Sequence, residues 1–292
     1  MIAAILRASR PISWVNTAFP FAAAYLVATR DVDAVLVVGT LFFLGPYNLL
    51  MYGINDVFDY ESDLANPRKG GLEGDVIRDR KAAERIHRGI LWASVLTTLP
   101  PALWLVTQGG VAAAVTLALV LFGVVAYSAP GLRFKERPFL DSLTSALHFV
   151  GPLLYGLVIA GVSLAEPGVW PIWAAFITWG MASHAFGAVQ DVNADRAGGI
   201  GSIATALGAT TTARLATALY VAASAILLAL PWPGILAAVL PLAYAASAAR
   251  FWNVTDETCE GANRGWRTFL WLNQPVGFLV TMLLIVTWNG WL

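Results

Sequence analysis

The sequence predicts an all-α polytopic membrane protein, with nine transmembrane helices in one domain over residues 1–292. Three observations carry that reading. Hydrophobic residues make up 58% of the chain and charged residues only 12%, about half the charge of a soluble domain. Mean hydropathy is +0.67. Apolar runs of about 20 residues recur along the chain, the length that crosses a bilayer as a helix. The single Cys259 excludes an internal disulfide and a cysteine metal site. A net charge of zero says nothing about partners by itself, and no nucleic-acid partner is expected of a membrane protein of this kind. Nothing in the sequence fixes an oligomeric state.

Taken in order, the apolar runs cover roughly 11–29, 34–56, 88–107, 110–128, 138–162, 169–190, 211–230, 233–252 and 267–289. Short turn chemistry separates some of them: Arg30-Asp31, Gln108-Gly109-Gly110, Glu166-Pro167-Gly168 and Pro231-Trp232-Pro233-Gly234. The remaining joins, 57–87, 129–137, 191–210 and 253–266, are longer and charged. Long charged joins therefore alternate with tight, nearly uncharged ones. All of the 18 Lys and Arg except Arg30 fall on the side of the long joins and the N-terminus. The positive-inside rule places that side in the cytoplasm of the cell membrane, and nine spans put the C-terminus outside.

Two acid motifs lie on the cytoplasmic side, each where an apolar run meets water. Asn55-Asp56-Val57-Phe58-Asp59-Tyr60-Glu61-Ser62-Asp63 closes the second run. On a continuous helix, Asn55/Asp56, Asp59 and Asp63 recur at three- and four-residue steps and share one face. Three acids on one face repel each other unless a cation intervenes. Mg²⁺ prefers oxygen ligands and bridges carboxylates to the phosphates of a substrate. Asp191 and Asp195 form a second i, i+4 pair after the sixth run. Two such faces suit a Mg²⁺–diphosphate site.

With its partner Asp191-x-x-x-Asp195, the first motif resembles the signature of the UbiA superfamily of intramembrane prenyltransferases. The wording of 55–63, followed by Asn66-Pro67-Arg68-Lys69-Gly70-Gly71, is similar to the carotenoid branch, and most of all to lycopene elongase/hydratases. The resemblance covers nearly the whole chain. It implies a nine-helix UbiA-like bundle around a central cavity, with a cap of cytoplasmic loops over bound isoprenyl diphosphate. It further implies Mg²⁺ as cofactor, dimethylallyl diphosphate as donor and lycopene, entering from the lipid bilayer, as acceptor. C45 and then C50 products follow, with the final cation either hydrated or deprotonated. An aromatic or quinone precursor is the alternative acceptor.

Residue chemistry fits that implication. Asn55, Asp56, Asp59, Asp191 and Asp195 are expected in the Mg²⁺ shells, with Asp63 more peripheral; the four aspartates 56, 59, 191 and 195 carry catalysis. Arg68 and Lys69 follow the first motif closely enough to fold back onto phosphates. Tyr127-Ser128 with Arg133 and Lys135 is similar to the family's Tyr-Ser and basic segment, and offers hydroxyl and cationic donors. Arg10 stands at the mouth of the first helix. His184, seven residues before Asp191, either shares its face toward substrate or is a buried, hydrogen-bonded histidine. The aromatics Trp173, Phe176, Trp179 and Phe186 either line a cavity or pack in a core. A transporter is disfavoured, because its polar site belongs near the bilayer midplane and these acids sit at the edge.

Overall fold

The computed structural model describes residues 1–65, 77 and 79–291, and of Ser62, Asp63 and Ala65 the backbone alone. Among these residues every regular element is helical. Seven helical segments are long and apolar enough to cross a membrane: Ile2–Thr29, Ala34–Phe58, Arg80–Gln108, Val111–Ser128, Leu140–Ile159, Trp170–Val189 and Asp256–Asn289. The expected spans 211–230 and 233–252 are also helical, but do not meet both criteria. Ala209–Leu227 opens with three threonines and carries Arg214, and the apolar stretch Gly234–Ala249 is short. Length and composition among the described residues thus mark seven crossings, against the nine expected. The helices pack into two compact units.

The first unit comprises 1–134 and 147–164. It contains α1 (Ile2–Ala8), α2 (Trp14–Thr29), α3 (Ala34–Leu44), α4 (Pro46–Phe58), α5 (Tyr60–Ala65), α6 (Arg80–Gln108), α7 (Val111–Ser128) and most of α8 (Leu140–Ile159). Its core is aromatic. Phe21, Phe42, Phe43, Tyr47 and Tyr155 are all essentially unexposed, and Phe43 sits 5.1 Å from both Phe21 and Tyr47 between ring centroids. Such contacts add to the burial of large apolar surface.

Gly45-Pro46 splits one membrane crossing into α3 and α4, because proline has no N–H to continue the ladder. Carbonyls near such a break need other donors inside a bilayer. Thr17 donates to Phe43 O at 2.7 Å, while Asn48 Nδ2 donates to the same oxygen at 2.8 Å and to Leu44 O at 3.1 Å. From α6, Ser94 and Thr98 reach the carbonyls of Leu49 and Pro46 on α4, each at 3.3 Å. These bonds fix the angle at which α4 carries the first acid motif. At the far end of α3, Asp33 caps the helix, accepting from Leu36 N at 2.9 Å and from the Tyr25 hydroxyl at 2.7 Å. Burial opposes its charge, but these bonds outweigh burial and hold the carboxyl below its ordinary pKa.

The second unit comprises 135–146 and 165–292, with the start of α8, α9 (Trp170–Val189), α10 (Val192–Ala197), α11 (Ile203–Leu207), α12 (Ala209–Leu227), α13 (Leu240–Ala249) and α14 (Asn263–Asn289). Helix α12 packs against both α9 and α13. Trp179, Phe186, Tyr220, Tyr244 and Phe269 fill the space between them. Trp179 and Phe186 therefore belong to this packed aromatic cluster: Trp179 lies 5.4 Å from Tyr244 and 5.7 Å from Phe269, and Phe186 lies 5.7 Å from Phe251. Ser202 and Thr205 form a capping box that starts α11. Gly208, at φ 78°, turns the chain into α12, a conformation that favours glycine.

Candidate active site

The first acid motif is not one continuous helix. Helix α4 stops at Phe58, and Asp59 occupies its C-cap with φ −100° and ψ 0°, before α5 starts at Tyr60. Asn55, Asp56 and Asp59 share the last turn of α4, whereas Asp63 belongs to a separate helix and its side chain lies outside the described residues. The expected single face of 55–63 is thus interrupted. Its physical cause is the bridge-region backbone at Asp59, a conformation common at active sites.

Carboxylates at a helix C-terminus oppose the helix dipole, so Asp56 and Asp59 need cations. Each has an arginine. Arg10 Nη2 donates to Asp56 Oδ1 at 2.8 Å, and its guanidinium carbon lies 4.5 Å above the Tyr52 ring, a cation–π placement. Arg133 Nη2 lies 3.6 Å from Asp59 Oδ1, whose side chain is only 5% exposed. Ser128, at the end of α7, donates to Asn55 Oδ1 at 2.9 Å. Both arginines occupy left-handed backbone, Arg10 at φ 49° and Arg133 at φ 39°. Non-glycine residues there cost on the order of 1–2 kcal/mol. Pro11 keeps Arg10 out of right-handed helix, but a following proline favours extended backbone at negative φ and so does not account for the left-handed one.

In the second unit, Asp191 is the N-cap of α10, and Asp195 lies in its first turn, bonded backbone to backbone at 2.8 Å. The expected i, i+4 relation holds, but it belongs to α10 and not to the end of α9. Here the dipole helps, since acids are favoured at a helix N-terminus. Asn193 and Arg196, between and beyond the two acids, both bond to Asp256.

The other expected residues divide between the units. Tyr127 sets its ring edge-on to His148 at 4.8 Å in the first unit. Lys135 is half-buried in the short 3₁₀ turn Phe134–Glu136 and belongs to the second unit. His184 Nδ1 lies 3.1 Å from Ser142 Oγ, so a hydrogen-bonded histidine describes it. Arg68 and Lys69 lie outside the described residues. Three polar residues had no signal in the sequence. Asp141, fully buried, accepts from the backbone N–H of Ser142 and of Ile203, each at 2.7 Å; Ser142 and Asp256 are the others. Gly201 approaches the same segment, and a Cβ there would stand 2.5 Å from Glu136 O.

Around α4 the available donors are carboxylate and amide oxygens, the chemistry Mg²⁺ selects. Among the described residues, no group of three or more His, Cys, Asp or Glu could hold a metal alone. Mg²⁺ does not require one: it is usually held by one or two carboxylates together with substrate phosphates and water. Two carboxylates in each unit fit that pattern.

The chain is similar to known proteins over nearly all of its length. The model of the UbiA prenyltransferase family matches residues 17–287. A lycopene elongase/hydratase of Corynebacterium glutamicum is 50% identical over 281 residues, 96% of each chain. The C(50) beta-cyclic carotenoids biosynthesis protein LbtBC of Dietzia is 53% identical over 290 residues, 99% of this chain and 65% of that protein. Among solved structures, a UbiA homolog from Archaeoglobus fulgidus bound to DMAPP and Mg2+ has a TM-score of 0.63 at 20% identity, covering 94% of this chain and 98% of that one. That last likeness is one of fold. With a family match over nearly all of its length, the chain belongs to the UbiA prenyltransferase family.

Proposed function

We propose that this membrane prenyltransferase transfers C5 units from dimethylallyl diphosphate to lycopene, with Mg²⁺ as cofactor, giving C45 and then C50 carotenoids. The observation that carries the reading is the 50% identity to a lycopene elongase/hydratase over 96% of both chains. The shared fold with a homolog bound to DMAPP and Mg2+ supports the donor and the metal.

Asn55, Asp56 and Asp59 of the first unit would offer oxygens to Mg²⁺, as would Asp191 and Asp195 of the second, with Asp63 peripheral. When bound, Mg²⁺ neutralises the charge that grows on the departing diphosphate. Arg10, Arg133 and Lys135, joined by Arg68 and Lys69, add fixed cations and donors for phosphate oxygens. Ser128 holds the Asn55 carboxamide by its oxygen, while Tyr127 offers its hydroxyl to substrate. The allylic C–O bond breaks with its electron pair leaving on diphosphate, and the terminal double bond of lycopene attacks the allylic carbon. The tertiary cation left on the acceptor then loses a proton, or captures water and releases one.

Lycopene reaches the site from the lipid, because moving a long polyene through water would cost about 0.8 kcal/mol per methylene-sized unit. The N-terminus and both acid motifs face the cytoplasm and the C-terminus faces outward, a reading supported by the basic residues that flank the charged joins. The test is expression in a host that accumulates lycopene and makes dimethylallyl diphosphate. Mass spectrometry should show products one and two C5 units heavier, with or without oxygen from water. Unchanged lycopene beside a prenylated 4-hydroxybenzoate or naphthoquinone precursor would refute the acceptor.

A further inference from the structure

We propose that Asp256 is a positioning residue that sets the second acid pair for the diphosphate, an inference that rests on the role given above to Asp191 and Asp195. Helix α10, which carries that pair, has only six residues and one buried side chain, Val192. An isolated helix of that length does not hold its shape in water. Its orientation must come from contacts outside itself: Val192 packs in an apolar cluster with Val189, Ala204 and Val254, and hydrogen bonds tie the helix to Asp256, 60 positions away from Arg196.

Asp256 holds the segment at three points. Its carboxylate Oδ2 accepts from Arg196. Its Oδ1 accepts from the backbone N–H of Ala209 at 2.7 Å, where α12 begins. Its own carbonyl accepts from Asn193 Nδ2 at 2.8 Å. Arg196 also donates to Thr205 O at 3.1 Å, tying in α11. Asn193 and Arg196 are three residues apart and share a helix face, while Asp191 and Asp195 are four apart and lie on a roughly opposite face. Asp256 therefore grips α10 from the face roughly opposite its acid pair.

The Arg196–Asp256 pair is partly exposed, 43% and 34%. Pairs of that exposure add little to stability. Its importance is geometric, because a displacement of about 1 Å in a reactive constellation can lower turnover on the order of 100-fold.

The experiment uses the full chain purified in detergent, with Asp256→Asn and Arg196→Gln as variants and Asp256→Glu as the conservative control. Asp256→Asn keeps an oxygen for Ala209 and the carbonyl for Asn193, and removes only the charge that holds Arg196. Calorimetry with dimethylallyl S-thiolodiphosphate and Mg²⁺ should show Kd raised roughly 10- to 100-fold in Asp256→Asn and Arg196→Gln, with partial recovery in Asp256→Glu. KM for dimethylallyl diphosphate should rise more than kcat falls, and the thermal midpoint without ligand should stay near that of the wild type. Wild-type affinity in both charge-removing variants would overturn the inference. So would a fall in unliganded thermal midpoint that accounts for the whole effect with no recovery in Asp256→Glu. A wild-type chain that itself takes up no analogue with Mg²⁺ would refute the metal–diphosphate reading, and this inference with it.

Discussion

Arg10 and Asp56, 46 residues apart in sequence, meet at 2.8 Å with only 15% of each side chain exposed. The contact joins the turn between α1 and α2 to the acid motif that closes α4. A cation so placed satisfies Asp56, and in the proposed reaction it would stand beside the phosphates of the donor. Hydrogen bonds to charged groups contribute about 1.5–3 kcal/mol.

Replacing Arg10 with Gln should therefore lower kcat/KM for dimethylallyl diphosphate about 10- to 100-fold, while the protein still inserts in the membrane. Arg10→Lys should keep part of the activity, since lysine supplies the charge without the forked geometry. Steady-state kinetics in membranes checks this; unaltered kcat/KM in Arg10→Gln would show the pair to be structural only.

Metal dependence should be severe. Asp56→Asn or Asp191→Asn is expected to reduce diphosphate release by about 10³-fold or more, with folding retained. EDTA should silence the wild type, and added Mg²⁺ should restore the wild type alone. Full turnover in EDTA would remove the metal assignment for both acid pairs.

Orientation has its own outcome. Reporter fusions after Phe134 and Ala194 should read cytoplasmic, and a fusion at Leu292 should read exterior. A cytoplasmic reading at Leu292 would mean an even number of crossings, and the segments in question are Ala209–Leu227 and Gly234–Ala249, the two that length and hydropathy leave out.

Much of this molecule was legible in its sequence, because membranes enforce strong patterns. Apolar runs located every long helix, and the acids of 55–59 do stand where a helix ends, while Asp191 and Asp195 open the next one. The breaks were not legible. Periodicity carried the first motif across Asp59 as one helix, since nothing in the residue order announces a bridge-region cap there. Gly45-Pro46 passed inside an apolar run, although proline and its buried helpers Thr17 and Asn48 divide that run in two. Long-range partners were the least visible. Asp141, at the start of an apolar run, and Asp256, in a charged join, look like ordinary interfacial acids until folding brings Ile203 and Ala209 against them.

The backbone at Arg10 and Arg133 has a consequence for engineering. Glycine is the residue that tolerates φ near 40–50° without steric penalty, yet both positions hold the cations that face the first acid motif. A glycine scan for thermal tolerance would therefore gain little at either position, since relief of the backbone is set against loss of the guanidinium beside an acid.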